Sequence, residues 1–197
     1  MKKKLLVFVP IFLCALLVVV TITPTITMSE SISQKVFRLH ILANSDSDED
    51  QQLKLRVRDK ILQESEKMFS SCNSVDEAIN ISRESIDKLK NISRQVIAYY
   101  NYDYDVRAYV TKEYFETREY DNFTLPAGIY DCLKIEIGQG KGHNWWCVMY
   151  PSVCISGCTD DFDSTLTEDE KRLIESDNYV IKFKVVEIYE KIKSKFT

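Results

Sequence analysis

The chain opens on a continuous apolar stretch. Lys2, Lys3 and Lys4 precede Leu5 to Ile22, a run interrupted only by Pro10 and Thr21. A basic start followed by such a run predicts an export signal or a single membrane anchor, long for the first and short for the second. Thr21 to Ser29 is small and polar, as a cleavage region requires, but it lacks an A-x-A; Thr27-Met28-Ser29 is the nearest small-x-small site. The lysines hold the start on the inner side of the membrane, so the expectation for the rest is an extracytoplasmic location. Residues 1–28 are thus read as signal peptide or anchor, and 29–197 as one extracytoplasmic domain.

Beyond that point the period changes several times. Val36, Arg38 and His40 alternate with Phe37, Leu39 and Ile41, predicting a strand with one mixed face. After the polar turn Asn44 to Asp48, the spacing of Leu53, Val57, Ile61 and Met68 predicts a helix to about Phe69, its first turn acidic as the helix dipole favours. Ser74-Val75-Asp76-Glu77 matches a capping box, and Ile79, Ser82, Ile86, Leu89, Ser93 and Val96 continue one face to about Tyr100, which predicts a second helix packed antiparallel on the first. Alternation then returns at Val106, Ala108 and Val110, at Leu133, Ile135 and Ile137, and in the more apolar run Trp145 to Tyr150. Turn residues at Pro126-Ala127-Gly128 and Gly138-Gln139-Gly140-Lys141-Gly142 separate these strands. An acidic loop, Thr159 to Asp163, a second capping box at Thr167 to Glu170, and a basic amphipathic helix through Val185, Ile188, Tyr189 and Ile192 close the chain. The fold expected is α+β: two antiparallel amphipathic helices on an antiparallel sheet, with an N-terminal signal or anchor segment.

Composition narrows the chemistry. The net charge is −4 and no basic stripe is present, which argues against nucleic acid as a partner. Of the six cysteines, Cys14 lies in the apolar run; Cys72, Cys132, Cys147, Cys154 and Cys158 follow it, and this odd number leaves at least one unpaired in a monomer. Export favours oxidation, with Cys147–Cys154 the leading pairing. A zinc site on His143, Cys147, Cys154 and Cys158 is disfavoured, because His143 and Cys147 on one strand would stand roughly 13 Å apart. A calcium loop at Asp46, Asp48 and Asp50 fails at Gln51 and Val57, where Gly and Glu are needed. Gly138, Gly140 and Gly142 lead into a strand rather than a helix, so they fit a hairpin and not a dinucleotide fingerprint. No cofactor or metal is expected.

Two clusters invite contact with another protein. Trp145 and Trp146 point to opposite faces of a strand, and one must find a groove or contact surface. Arg38, His40, Asn44, Asp46, Gln51, Lys54, Arg58 and Asp59 concentrate groups that form directed hydrogen bonds, and with Asn144, Trp145 and Trp146 they form the candidate binding set. A solvated, charge-paired helix face is the plainer account of the first cluster. Cys147 with His40 could serve as a thiol nucleophile and its base, which keeps an exported cysteine-dependent or wall-active hydrolase as the alternative.

The run from Phe37 to Asp46, followed by Asp50-Gln51 and by Leu53 to Asp59, resembles the opening of the stage II sporulation protein R family. So do Leu125 to Tyr130 and the block Gly140 to Pro151 with Cys154 after it. His143 departs from the resemblance, as do the additional Cys132 and Cys158. The resemblance implies a non-enzymatic signal made in the forespore and exported into the intermembrane space. There it would be required to activate the membrane-embedded aspartic peptidase that processes the sigma-E precursor in the mother cell. It implies no catalytic residues in this chain.

Overall fold

In a computed structural model, residues 2–120, 123–151, 165–175 and 179–193 are described. They form six helices and six strands: α1 (Lys2–Gln34), β1 (Phe37–Leu42), α2 (Asp48–Phe69), α3 (Val75–Glu84), α4 (Ile86–Tyr99), β2 (Val106–Phe115), β3 (Arg118–Glu119), β4 (Thr124–Leu125), β5 (Gly128–Ile137), β6 (Asn144–Tyr150), α5 (Glu168–Glu175) and α6 (Tyr179–Lys193). Among the described residues no helix is long and apolar enough to cross a membrane. The acidic loop Thr159 to Asp163, and Cys154 and Cys158, lie outside the described residues.

The chain divides into two compact units. The first comprises residues 1–33, 114–129 and 167–197. In it the segment read as a cleavage region is helical: α1 continues to Gln34, and its last turns bury Ser29, Ile32 and Ser33. Ser31 donates to Glu170 on α5 at 2.6 Å, and Lys193 on α6 pairs with Glu30. The capping box before α5 closes in both directions, with Thr167 N donating to Glu170 Oε2 at 2.7 Å and Glu170 N to Thr167 Oγ1 at 3.3 Å.

The second unit comprises residues 34–113 and 130–166. Its sheet has the order β2-β5-β1-β6. β1 runs antiparallel to β6, as alternation with turns suggests, but parallel to β5, with Phe37 opposite Asp131 and Leu42 opposite Glu136. This corrects the expected wholly antiparallel sheet. Helices α2 to α4 and then β2 lie between β1 and β5; Gly138 N donates to the Asp105 carbonyl at 2.8 Å, so β2 starts beside the end of β5 and carries the chain back to the end of the sheet where β5 begins, as parallel pairing requires. Phe37, Leu39 and Ile41 of β1 and Leu133, Ile135 and Ile137 of β5 form one core with Leu53, Val57 and Ile61 of α2 and Leu89 and Ile97 of α4.

The first helix of this layer follows expectation. Its N-cap Ser47 accepts from Asp50 N, and Asp48, Glu49 and Asp50 occupy the first turn. The second does not run unbroken: it divides at Ser85 (φ −98°, ψ 8°) into α3 and α4. The apolar face continues across the break, so only the backbone turns there.

Candidate functional site

The loop after β1 and the hairpin before β6 are laced together by buried polar groups. Asp50 is 3% exposed and accepts from Asn44 Nδ2 at 2.8 Å and from Ser45 Oγ at 2.6 Å. Burial alone would raise its carboxyl, but hydrogen bonds from Ser45, Asn44 and Tyr104 outweigh that and hold it below the ordinary range. Asn44 Oδ1 receives Gln139 N at 3.0 Å, and Asp46 Oδ1 receives His143 N at 2.6 Å. Lys54, 4% exposed, donates to Gln51 Oε1 at 2.6 Å and to the His143 carbonyl at 2.8 Å. Burial lowers the pKa of its ammonium, with Asp46 opposing and Arg58 adding to the shift.

The glycines of this hairpin are there for room as much as for turning. A Cβ on Gly142 would stand 2.1 Å from the Ser45 carbonyl oxygen, and one on Gly138 2.3 Å from Asn44 Oδ1. Gly140 has φ +62° but its Cβ would meet nothing nearer than Glu136 Cβ at 3.5 Å. Gly142→Ala is therefore expected to destabilise by ~2–3 kcal/mol through overpacking. Gly140→Ala should cost ~1–2 kcal/mol of left-handed backbone strain. Urea midpoints of the two variants check the order; equal loss would mean that the hairpin moves away freely.

Side chains on successive residues of β6 face opposite sides of the sheet. Trp145 packs against the helical core, and the Arg58 guanidinium lies 4.2 Å from its ring centroid. Arg58 also pairs with Asp59 at 2.6 Å. Trp146 stands on the other side, edge-on to His40 with centroids 5.8 Å apart. His40 is 4% exposed; its Nδ1 meets Glu113 Oε2 at 2.7 Å and its Nε2 meets Asn144 Oδ1 at 2.8 Å. Glu113 also receives Lys134 at 2.8 Å.

The residues proposed from sequence thus come together but do not make one continuous surface. Arg38 is fully buried, with its guanidinium 5.0 Å from the Tyr130 ring centroid, and His40 and Lys54 are nearly so. These three hold the framework and are not available for direct contact. Asn44 and Gln51 are half-buried in the hairpin lacing, while Asp46, Asp59 and Asn144 are exposed. On the helical side the exposed Asp59 pairs with Arg58, whose side chain, 19% exposed, lies over Trp145. Sequence reasoning missed Glu113 and Lys134, whose opposite charges at outward strand positions were the available signal.

Cys147 is disulfide-bonded, and among the described residues Cys72 and Cys132 are free thiols. Burial pushes the Cys132 thiol up to about 12 and also raises Cys72, with Glu77 adding to the latter. Among the described residues no group of three His, Cys, Asp or Glu is placed to hold a metal ion.

These features define a mixed α+β protein with a compact polar lock and an aromatic–cation contact at the sheet edge. Residues 33–160 match the family described as Stage II sporulation protein R (spore_II_R). The chain belongs to that family. It is 34% identical over 160 residues to Stage II sporulation protein R of Bacillus subtilis (strain 168), an alignment covering 78% of this chain and 71% of the relative. No solved structure matches it.

Proposed function

We propose that this chain is an exported sporulation signal that activates the membrane-embedded aspartic peptidase processing the sigma-E precursor in the mother cell. Family membership supports the sporulation role. Lys2 to Lys4 followed by Leu5 to Ile22 supports export from the forespore into the intermembrane space, with residues 1–28 acting as signal peptide or membrane anchor. The observation that carries a contact role is the convergence of two distant motifs. The α2 segment ending at Asp59 and the Asn144-Trp145-Trp146 strand meet where Arg58 stacks on Trp145. Activation then follows if this surface binds the active arrangement of the peptidase more tightly than the inactive one, since only differential affinity shifts an equilibrium.

The alternative, an exported hydrolase using Cys147, is disfavoured because the Cys147 sulfur is in a disulfide rather than a thiolate. Cys154 is the proposed partner of that bond.

The test supplies the purified chain to cells that make only the peptidase and the sigma-E precursor. Precursor cleavage should begin on addition. No cleavage, with the added chain folded and intact, overturns the reading.

A further inference from the structure

The helical layer carries a groove that borders the sheet-edge contact at Asp59. Between α2 and α4 lies a hollow of about 860 Å³, floored by Leu62, Ile92 and Val96 and walled by Tyr99 and Tyr100. A second hollow of about 330 Å³ continues toward the start of α2, past Leu53 and Tyr102. Arg56 and Tyr100 border both, with the guanidinium 4.1 Å from the ring centroid and Nη1 donating to the hydroxyl at 2.6 Å. From Glu49 to Glu66 the groove follows α2 for about 25 Å, the length of a helix of four to five turns. Tyr99 is 78% exposed, an unusual position for a large aromatic ring unless something covers it.

The rim charges select the occupant. Arg56 lies on Tyr100 but keeps its charge, Asp59 is paired with Arg58 at 2.6 Å, and Lys60 with Gln63 at 2.8 Å and Glu64 at 3.3 Å. Asp48, Glu49 and Glu66 make no ion pair among the described residues, and all three line the groove. The charges left over are therefore acidic at both ends of an apolar, aromatic floor, three carboxylates against the Arg56 guanidinium between them. Such a rim repels anionic lipid and acidic peptides, and it complements lysines or arginines flanking an apolar stripe.

We infer that the α2–α4 groove is a docking site for a basic amphipathic helix of a partner protein. The inference rests on the reading that this chain acts by protein contact, but it concerns the α2–α4 hollow, which meets the Arg58–Trp145 contact at Asp59. The partner helix lays its apolar stripe over Leu62, Ile92 and Val96, and its cations reach Glu66 at one end and Asp48 and Glu49 at the other.

A labelled Leu/Lys peptide of about 16 residues, with the leucines on one helical face, is the probe for binding to the full chain. It should bind and should protect the amides of α4 from exchange. The same peptide with Glu for Lys should bind at least about tenfold more weakly. Tyr99→Ala and Glu66→Lys, both at exposed side chains, should each weaken the Leu/Lys peptide by about tenfold with an unchanged circular dichroism spectrum. Equal binding of both peptides, or unchanged affinity in both variants, overturns the site. So does concentration-dependent self-association that Tyr99→Ala abolishes, since the occupant would then be a second copy. Peptide binding does not depend on precursor cleavage. A chain that binds the peptide but fails to trigger cleavage refutes the functional reading alone, and the reverse outcome refutes only the groove.

Discussion

Reversing the charge at Arg58 and truncating its aromatic partner, in the double variant Arg58→Glu/Trp145→Ala, should abolish precursor cleavage in the addition assay. Arg58 reaches from α2 onto the Trp145 ring, so together they form one cation–aromatic feature rather than two separate contacts. Buried aromatic and arginine anchors carry most of the energy of small interfaces. Losing two that act together is expected to lower apparent affinity on the order of a hundredfold or more. Trp145 also packs against the core, so the double variant needs a control for folding. Arg58→Glu alone provides it, because the indole stays in place; the Arg58 side chain is itself only 19% exposed, so its melt is read beside the wild type's. The single variant should still melt cooperatively and lose most of the signal. Normal cleavage in the folded double variant would remove this surface from the mechanism. Trp146→Ala samples the other side of β6 and should leave the Arg58 contact intact.

The second large effect concerns stability. Glu113→Gln should destabilise the second unit by on the order of 2–3 kcal/mol near neutral pH and flatten its acid unfolding limb. Burial alone would push the Glu113 carboxyl up. The hydrogen bonds and charges of His40 and Lys134 outweigh that and hold it at about 2, against an ordinary value of 4.5. A carboxylate with a depressed folded-state pKa stabilises fully above its unfolded pKa and loses that contribution as pH falls through the folded one. The wild type should therefore lose this increment between about pH 5 and pH 2. The variant should start lower and fall less steeply across the same window. The amide also leaves Lys134, a half-buried cation, without its main partner, with Glu136 at 4.0 Å as the nearest substitute. Denaturant melts at a series of pH values report both quantities. Parallel pH profiles for the two proteins would show that Glu113 is not the titrating group.

Some of this architecture was open to sequence reasoning, and for identifiable reasons. Helix α2 was legible because Leu53, Val57 and Ile61 repeat at helical spacing behind an N-cap serine and three acidic residues. The second half of β5 was legible because Leu133, Ile135 and Ile137 alternate with Lys134 and Glu136. The break at Ser85 was hidden: no glycine or proline marks it, and the apolar face passes through unchanged. The parallel pairing of β1 with β5 was hidden for a different reason. Alternation identifies which face of a strand is buried, but it carries no information about its neighbours or their direction.

The candidate site was half legible. Its membership was readable, because the polar block and the Trp pair do meet. Its burial was not. Arg38, His40 and Lys54 look like surface groups in a sequence, since charged residues are rarely buried unless they are paired. Their partners, the Tyr130 ring, Glu113 and the His143 carbonyl, lie far along the chain and supply the pairing. Trp145 and Trp146, adjacent in sequence, lie on opposite faces of β6.

On the proposed export of this chain from its N-terminus, the position of β1 inside the sheet has a consequence for folding. Phe37 pairs with Asp131 on one side and Tyr150 on the other, so β1 emerges long before either of its neighbours. Helices α2 to α4 make local contacts and can form as they arrive, whereas the sheet must wait for the last strand to be delivered. Throughout that interval Phe37, Leu39 and Ile41 remain without their strand partners, so the rate of delivery of β5 and β6 sets how long this segment is open to aggregation. If the chain is exported as proposed, slowing translocation between residues 43 and 128 should therefore lower the yield of folded protein without changing its stability once made.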